Sequence, residues 1–351
     1  MTTERATAVP PPVVVVGASA GGVEALRELV SLLPSSLRAC VLVVLHVPGN
    51  SPSALPSILR RVCDLPVSQA ENGGRLRAGE VLVARPDHHL VVADGHVLLT
   101  RGPRENGHRP AVDVLFRSAA RACGRGTLGI VLSGALDDGA AGSVTIASRG
   151  GRVAVQDFDE ALYDSMPRSA AQAVGRADQL TIAGLAELVT AWAAGWDEVP
   201  SHNGSEHIEI TQEVGMASMD PDAMHDLVRP GTPSGFGCPD CAGALFRLEE
   251  GNLVRYRCRV GHAWSADSLV ARKTVDLEGA LWIALRSLEE KAALNAELGE
   301  RASGQGHDRT AARFEENVQE AIGAAELVRR LITTIGGSTE PADESGQTVS
   351  G

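Results

Sequence analysis

Val13-Val14-Val15-Val16-Gly17-Ala18-Ser19-Ala20-Gly21-Gly22 decides the fold. Four consecutive valines lack the alternation of a half-exposed strand and read as a strand buried on both faces. The glycine-rich stretch turns the chain, and Val23, Leu26, Leu29, Val30 and Leu33 then recur at helical spacing up to Pro34. Strand, tight turn and helix form the first unit of an α/β fold. Working outward, residues 41–45 and 130–132 are two more apolar runs, and residues 151–156 read as a further strand. Helical patterns lie near 111–122, 139–148, 168–175 and 183–195. This alternation predicts an α/β domain over residues 13–196, with a mainly parallel, doubly wound sheet. Residues 66–100 differ: short apolar runs are broken by Gly73-Gly74, Pro86-Asp87 and Asp94-Gly95. Asp-Gly between apolar runs signals a hairpin, so this stretch is expected to be an antiparallel excursion.

Three of the parallel-strand ends carry chemistry. Ser19, His46 and Asp138 each follow an apolar run. In an open α/β sheet the C-terminal strand ends share one edge, where active sites gather. A hydroxyl, an imidazole and a carboxylate delivered there are the groups of a nucleophile, a base and an orienting acid. Gly17-x-Ser19-x-Gly21 matches the nucleophile-elbow pattern, a tight strand-to-helix turn that projects a serine. A phosphate cradle and a simple serine N-cap are the competing readings of this turn. The turn itself carries neither G-x-G-x-x-G nor a P-loop lysine. The chain order Ser, His, Asp also differs from the Ser, Asp, His order of α/β-hydrolases.

Composition narrows the class. The 351-residue chain carries a net charge of −12 and only 3% aromatic residues. Neither a basic nucleic-acid face nor an extended base-stacking platform is expected. No apolar run is long enough to suggest a membrane span, and the N-terminus lacks the basic-then-apolar pattern of a secretory signal. Cys40, Cys63 and Cys123 are scattered among apolar residues and read as buried free thiols, which fits a reducing, cytoplasmic setting.

The order of the three groups and several local motifs resemble the catalytic domain of the chemotaxis methylesterase CheB. The matching segments are residues 17–22, His46-Val47-Pro48, Arg109 through Phe116, Leu132 through Gly142 and Met166-Pro167-Arg168. The resemblance implies a serine hydrolase that demethylates glutamyl methyl esters, and in part deamidates glutamines, of a chemoreceptor-like protein. It assigns Ser19 as nucleophile, His46 as base and Asp138, the second of the paired acids, as the acid of the triad. The Ala20 amide, with that of Ala135, would hold the oxyanion. A related amidase or a non-catalytic signalling scaffold are the alternatives. Ala20 replaces a usual threonine and Val47 a frequent methionine. Ala135-Leu136 replaces a Met-Gly pair where the family places part of its oxyanion site. Twelve residues precede the first strand, so no receiver domain is expected, and control is expected to come from elsewhere. Asp113 reads as a loop cap or a residue lining the site. His108 lies in the same family-like stretch. Arg109 reads as a surface arginine or as one that attracts an acidic helical receptor surface, and Asp87, His88 and His89 as structural.

The C-terminal third adds two units. Cys238-Pro239-Asp240-Cys241 and Cys258-Arg259-Val260-Gly261-His262 are two short ligand turns separated by 16 residues. Cys238, Cys241, Cys258 and His262 suit a structural zinc in a ribbon of residues 235–265, with strands near 244–248 and 253–257. No cofactor is expected for catalysis. Leu277, Leu281, Ala284, Leu288 and Ala292, then Phe314, Val318, Ala321, Ala325, Val328 and Leu331, predict a helical hairpin over 266–336 that docks on the body or forms a homodimer. Residues 1–12 and 337–351 are expected to be disordered. Residues 197–234 are expected to be a linker with one strand near 207–211, leaving residues 1–196 as a separable esterase.

Overall fold

Strands and helices alternate along the first half of the chain. The structure is a computed structural model and describes residues 11–47, 53–196, 208–225, 231–250 and 253–336. The elements are β1 (Val13–Ala18), α1 (Gly22–Ser31), β2 (Cys40–Leu45), α2 (Leu55–Leu59), β3 (Val67–Gln69), β4 (Gly74–Arg75), β5 (Glu80–Val83), β6 (His89–Ala93), β7 (His96–Thr100), α3 (Val112–Cys123), β8 (Thr127–Val131), α4 (Ala140–Ser148), β9 (Arg152–Gln156), α5 (Ser165–Val174), β10 (Asp178–Leu180) and α6 (Ile182–Ala194). Seven strands form one parallel sheet in the order β10-β9-β8-β1-β2-β5-β3. From β1 the chain builds one flank through β2, β5 and β3, then the other through β8, β9 and β10. The strand order therefore reverses at β1, the position where α/β sheets open a crevice.

Both sheet faces are covered, as the unbroken valine run requires. Val14, Val16 and Ala18 pack with Leu26 and Leu29 of α1 and Leu185 and Val189 of α6. Val13 and Val15 pack on the other face with Leu115 and Phe116 of α3, Ile146 of α4 and Met166 of α5. Each such large apolar side chain contributes roughly 1.5–3 kcal/mol by leaving water.

The excursion is smaller than its sequence suggests. Only β4, β6 and β7 form the separate antiparallel sheet. Both β3 and β5 join the parallel one. Val81, Leu82 and Val83 are a continuous buried run, the same signature that marks β1. The short strand β10 was not expected. It lies at the sheet edge, and two of its three residues are polar.

The expected strand at 207–211 is corrected to a helix. His207 lies outside the described residues, and α7 (Ile208–Ala217) is followed by α8 (Pro221–His225). Ile210, Val214 and Ala217 are spaced at four and three residues, so one helical face packs on Val91, Ala111 and Val114. Of the segment read as a linker, residues 208–225 and 231–234 are therefore structured, and residues 197–207 and 226–230 lie outside the described residues. So do residues 1–10 of the lead and the tail 337–351.

The cysteine-bearing part is a four-stranded antiparallel ribbon: β11 (Thr232–Gly237), β12 (Ala244–Glu250), β13 (Leu253–Cys258) and β14 (Ala263–Ser265). It belongs to the same compact unit as the α/β sheet, which extends to Leu269. A buried ion cluster joins them. Glu213 of α7 pairs with Arg255 (2.8 Å) and Arg257 (3.3 Å) of β13 and with Nε of Arg117 of α3 (3.0 Å). Glu105 pairs with Arg117 and, at 3.1 Å, with Arg257. All five side chains are at most 5% exposed. Ending the chain at residue 196 would strip partners from Arg117 and Glu105 and uncover Val91 and Val114. In this chain the α/β sheet and the ribbon therefore share one buried ion cluster.

The second compact unit starts at Val270. It holds most of α9 (Ala266–Gly304) and all of α10 (Asp308–Gly336). Leu285, Val318, Ala321 and Ala325 are buried, and Asn317 donates to Asn295 at 3.3 Å. Trp282, Ile283, Leu294 and Leu298 remain exposed.

Candidate active site

Strand register brings the three sequence-selected groups to one edge. Ala18 pairs with Leu45 and Gly17 with Val131, so the next positions along β1 and β2 are Ser19 and His46. The Ser19 amide donates to the Ser133 carbonyl (3.0 Å), just past β8, and the His46 amide donates to the Ala18 carbonyl (3.1 Å). The turn is closely packed. A Cβ at Gly17 would meet Val112 Cγ1 at 2.2 Å, and a Cβ at Gly134 would lie 2.9 Å from Ser19 Cβ. Gly21 has φ of 70°, a left-handed conformation that costs glycine little. It caps α1, whose N-terminal end therefore faces the serine loop.

His46 Nε2 lies 2.8 Å from Asp138 Oδ2. Its Nδ1 is buried with no hydrogen-bond partner, which leaves that nitrogen as the one available to a neighbouring hydroxyl. Asp138 is itself anchored. Oδ2 also accepts from the Val112 amide (2.7 Å), and Oδ1 accepts from the Asp113 amide (3.1 Å) and Asn106 Nδ2 (3.2 Å). Burial alone would raise its pKa. The hydrogen bond and charge of His46 outweigh burial, helped by His108 and the Val112 amide, and hold it well below the usual carboxylate range. His108 stacks flat on His46, with ring centroids 3.7 Å apart. Burial and the adjacent His46 push its pKa down to about 4, so it stacks as a neutral ring.

The adjacent acids have separate partners. Asp137 Oδ1 accepts from the hydroxyls of Ser265 (2.7 Å) and Ser268 (3.0 Å), not from His46. Asp113 Oδ1 accepts from the Gly139 (3.0 Å) and Gly142 (2.6 Å) amides and so caps the start of α4. Burial, then the nearby Asp138 charge, raises its pKa. Arg109 binds Asp87 through Nη2 (2.6 Å) and the Gly102 carbonyl (2.9 Å), so its charge is engaged within the fold. Buried His89 accepts from the Ala111 amide (3.3 Å), which leaves Nε2 to donate to Pro103 O (2.9 Å). Cys40 is buried and Cys63 and Cys123 are partly buried, all as free thiols. Burial pushes the thiols of Cys40 and Cys123 up to about 12, which makes them poor nucleophiles.

Ala20 and Ala135 lie on the two loops that meet at Ser19. Among the described residues neither amide has an intramolecular acceptor. The Ser133 hydroxyl donates to the Ala20 carbonyl (2.8 Å) and accepts from the Tyr163 amide (3.0 Å), which fixes the loops together. Sequence reading passed over Ser133 and Asn106. Asn106-Gly107 reads as a turn, and nothing local tells a turn asparagine from one that holds a carboxylate.

The parallel sheet that carries these groups is found in a known family. The profile described as CheB methylesterase matches residues 14–189. The chain belongs to the CheB methylesterase family. It is 38% identical over 196 residues to protein-glutamate methylesterase/protein-glutamine glutaminase 1 of Xanthomonas oryzae, covering 54% of this chain and 53% of that protein. It is 40% identical over 183 residues to the protein of the same name in Anaeromyxobacter dehalogenans, covering 51% and 52%. The chain spans about half the length of these curated relatives. The crystal structure of the Thermotoga maritima CheB methylesterase catalytic domain superposes with a TM-score of 0.50 at 30% identity, covering 52% of this chain and all of that domain.

Within this CheB-family domain, the residue after Ala135 adopts an unusual backbone conformation. Leu136 has φ of 65° and is exposed. A left-handed leucine costs roughly 1–2 kcal/mol, where glycine would cost little.

The ribbon gathers a second set of groups. One ligand atom from each of Cys238, Cys241, Cys258 and His262 lies within 4.8 Å of the others. Cys258 Sγ is 3.6 Å from both Cys241 Sγ and His262 Nδ1. A tetrahedron of roughly 2.3 Å metal–sulfur bonds has edges of about 3.8 Å, so the four groups fit a metal ion. No described helix is long and apolar enough to cross a membrane.

Proposed function

We propose that the chain is a serine hydrolase that removes the methyl group from glutamyl methyl esters of a chemoreceptor-like protein. The observation that carries this reading is the 2.8 Å His46–Asp138 pair beside Ser19, with His46 Nδ1 unpartnered. In this mechanism His46 Nδ1 takes the Ser19 proton as Oγ attacks the γ-carbonyl. The Ala20 and Ala135 amides receive the developing oxyanion, each donor worth roughly 3 kcal/mol in the transition state. Asp138 supports the imidazolium. Methanol leaves with the proton from His46, and water, deprotonated by the same imidazole, releases the glutamate and Ser19. The same groups can hydrolyse a glutamine side chain, with ammonia leaving in place of methanol. The related amidase is therefore the second reading, favoured by the paired names of the relatives. A helical receptor peptide carrying either a glutamyl methyl ester or glutamine at one position separates the two. Methanol release faster than ammonia release is expected, and ammonia alone would overturn the esterase assignment.

The ribbon is read as a structural zinc site. Four protein ligands fill a tetrahedral ion and leave no position for substrate. Protein purified without chelators is expected to carry roughly one zinc ion per chain, and Cys258→Ser to lose it. Elemental analysis that finds no metal in the unaltered protein would contradict this. The exposed Trp282, Ile283, Leu294 and Leu298 support a homodimer through the C-terminal helices. The free thiols fit a cytoplasmic setting.

A further inference from the structure

We propose that Asn106 is a positioning residue for the hydrolase reaction and that strand β14 of the ribbon holds it, so that the ribbon completes the active site. This rests on the hydrolase reading above. The family match ends at residue 189, and the ribbon lies beyond it.

The geometry is a short relay. Asn106 is buried at 7% exposure. Its Nδ2 donates to Asp138 Oδ1 (3.2 Å) and Asp113 Oδ2 (3.3 Å). Both its other polar ends engage β14: its amide donates to the Ala263 carbonyl (2.8 Å), and its Oδ1 accepts from the Ser265 amide (2.8 Å). The Ala263 amide donates in turn to the Arg104 carbonyl (3.2 Å). Asn106 thus faces the triad carboxylate with one end and the ribbon with the rest, held in a left-handed conformation, φ 52°.

Two further contacts act in the same direction. Asp137, which precedes Asp138, accepts from Ser265 and Ser268. Trp264 packs over Gly107, where a Cβ would lie 3.4 Å from its Cη2, and the next residue is the His108 that stacks on His46. The Cys3His cluster ends at His262, covalently next to Ala263. Order in the ligand turn therefore passes directly into β14. The inferred consequence is that losing the metal loosens the carboxylate that orients His46, without removing any catalytic group.

The test uses the full-length, metal-loaded protein. Asn106→Gly keeps the left-handed backbone and removes the amide. The double variant Ser265→Ala, Ser268→Ala removes the hydroxyls on Asp137 and spares every metal ligand. Two readouts are taken: kcat and KM for the methyl ester, and the low-field proton resonance of His46 Nε2–H, assigned by its loss in His46→Gln. Asn106→Gly is expected to lower kcat roughly 10- to 100-fold with KM within about 3-fold, the scale of losing an outer hydrogen bond at a site. The double serine variant is expected to lose about 3- to 10-fold on the same grounds. The resonance should move in both variants while metal content stays near wild type. Chelating the metal should move it in the same direction, and should add little in Asn106→Gly, because both act through one route.

An unchanged resonance in Asn106→Gly would overturn the proposal, as would metal and Asn106 effects that simply add. The resonance needs no substrate. If the unaltered protein releases no methanol, the hydrolase reading fails by itself, while a resonance that responds to Asn106 and metal still supports the relay.

Discussion

Ser19→Ala is expected to cut methyl-ester hydrolysis by roughly 10⁴- to 10⁶-fold while leaving the fold intact. The serine lies at the end of β1 in a turn shaped by Gly17 and Gly21, and an alanine fits there without a clash. His46→Ala should lose a comparable factor. Asp138→Asn should lose about 10⁴-fold, because an amide at Oδ2 or Nδ2 no longer fixes the tautomer that presents Nδ1. Pairs of these variants should lose no more than the worse single variant, since the three groups act as a unit. Asp137→Asn should cost far less than Asp138→Asn, because Asp137 faces Ser265 and Ser268 rather than the imidazole. Steady-state rates on one methyl-ester peptide check all of these. Full activity in Ser19→Ala, or a larger loss at Asp137 than at Asp138, would contradict the assignment.

The second large effect is on stability. Glu213→Ala removes the carboxylate that Arg117, Arg255 and Arg257 share in the buried cluster. Removing one partner of a buried ion cluster costs about 3–5 kcal/mol, since the remaining charges cannot reach water. Denaturant unfolding should show that loss as a lower midpoint. A loss below about 1 kcal/mol would mean the cluster is solvated. Its pH dependence has a definite sign. Burial raises the Glu213 pKa, but Arg255, Arg257 and Arg117 together hold it below the usual carboxylate range. A depressed folded-state pKa contributes stability that is present above the ordinary glutamate value of about 4.3 and is lost as pH falls below it. Between pH 5 and pH 3 the unaltered protein should therefore lose more stability than Glu213→Gln.

The parts of this architecture that depend on local pattern were legible in the sequence. The valine run, the helical spacing after Gly22 and the ligand turns of the ribbon each express one element's own geometry. The convergence of Ser19, His46 and Asp138 on one edge followed from their places after parallel strands. What was not legible depended on distant partners. The residues of β5 look alike whether they join a hairpin or the parallel sheet. Residues 208–217 mix apolar and polar residues with weak periodicity and read as linker or strand until Val214 and Ala217 meet Val91 and Val114. Arg255 and Arg257 alternate along β13 with Val254, Tyr256 and Cys258, a pattern of a strand with one wet face. That face is dry, because Glu105 and Glu213 lie across it. The place of the ribbon beside the active site could not be read, since Asn106 and Ser265 are 159 residues apart in the chain.

The most direct measurement of the central claim is rapid-quench mass spectrometry of the full-length protein mixed with a glutamyl methyl ester peptide. A Ser19 nucleophile predicts a transient adduct equal to the peptide minus methanol, carried on the fragment that contains Ser19. It should form with the methanol burst, decay with product release and be absent from Ser19→Ala. Hydrolysis with the adduct on another residue, or undiminished hydrolysis in Ser19→Ala, would contradict the account.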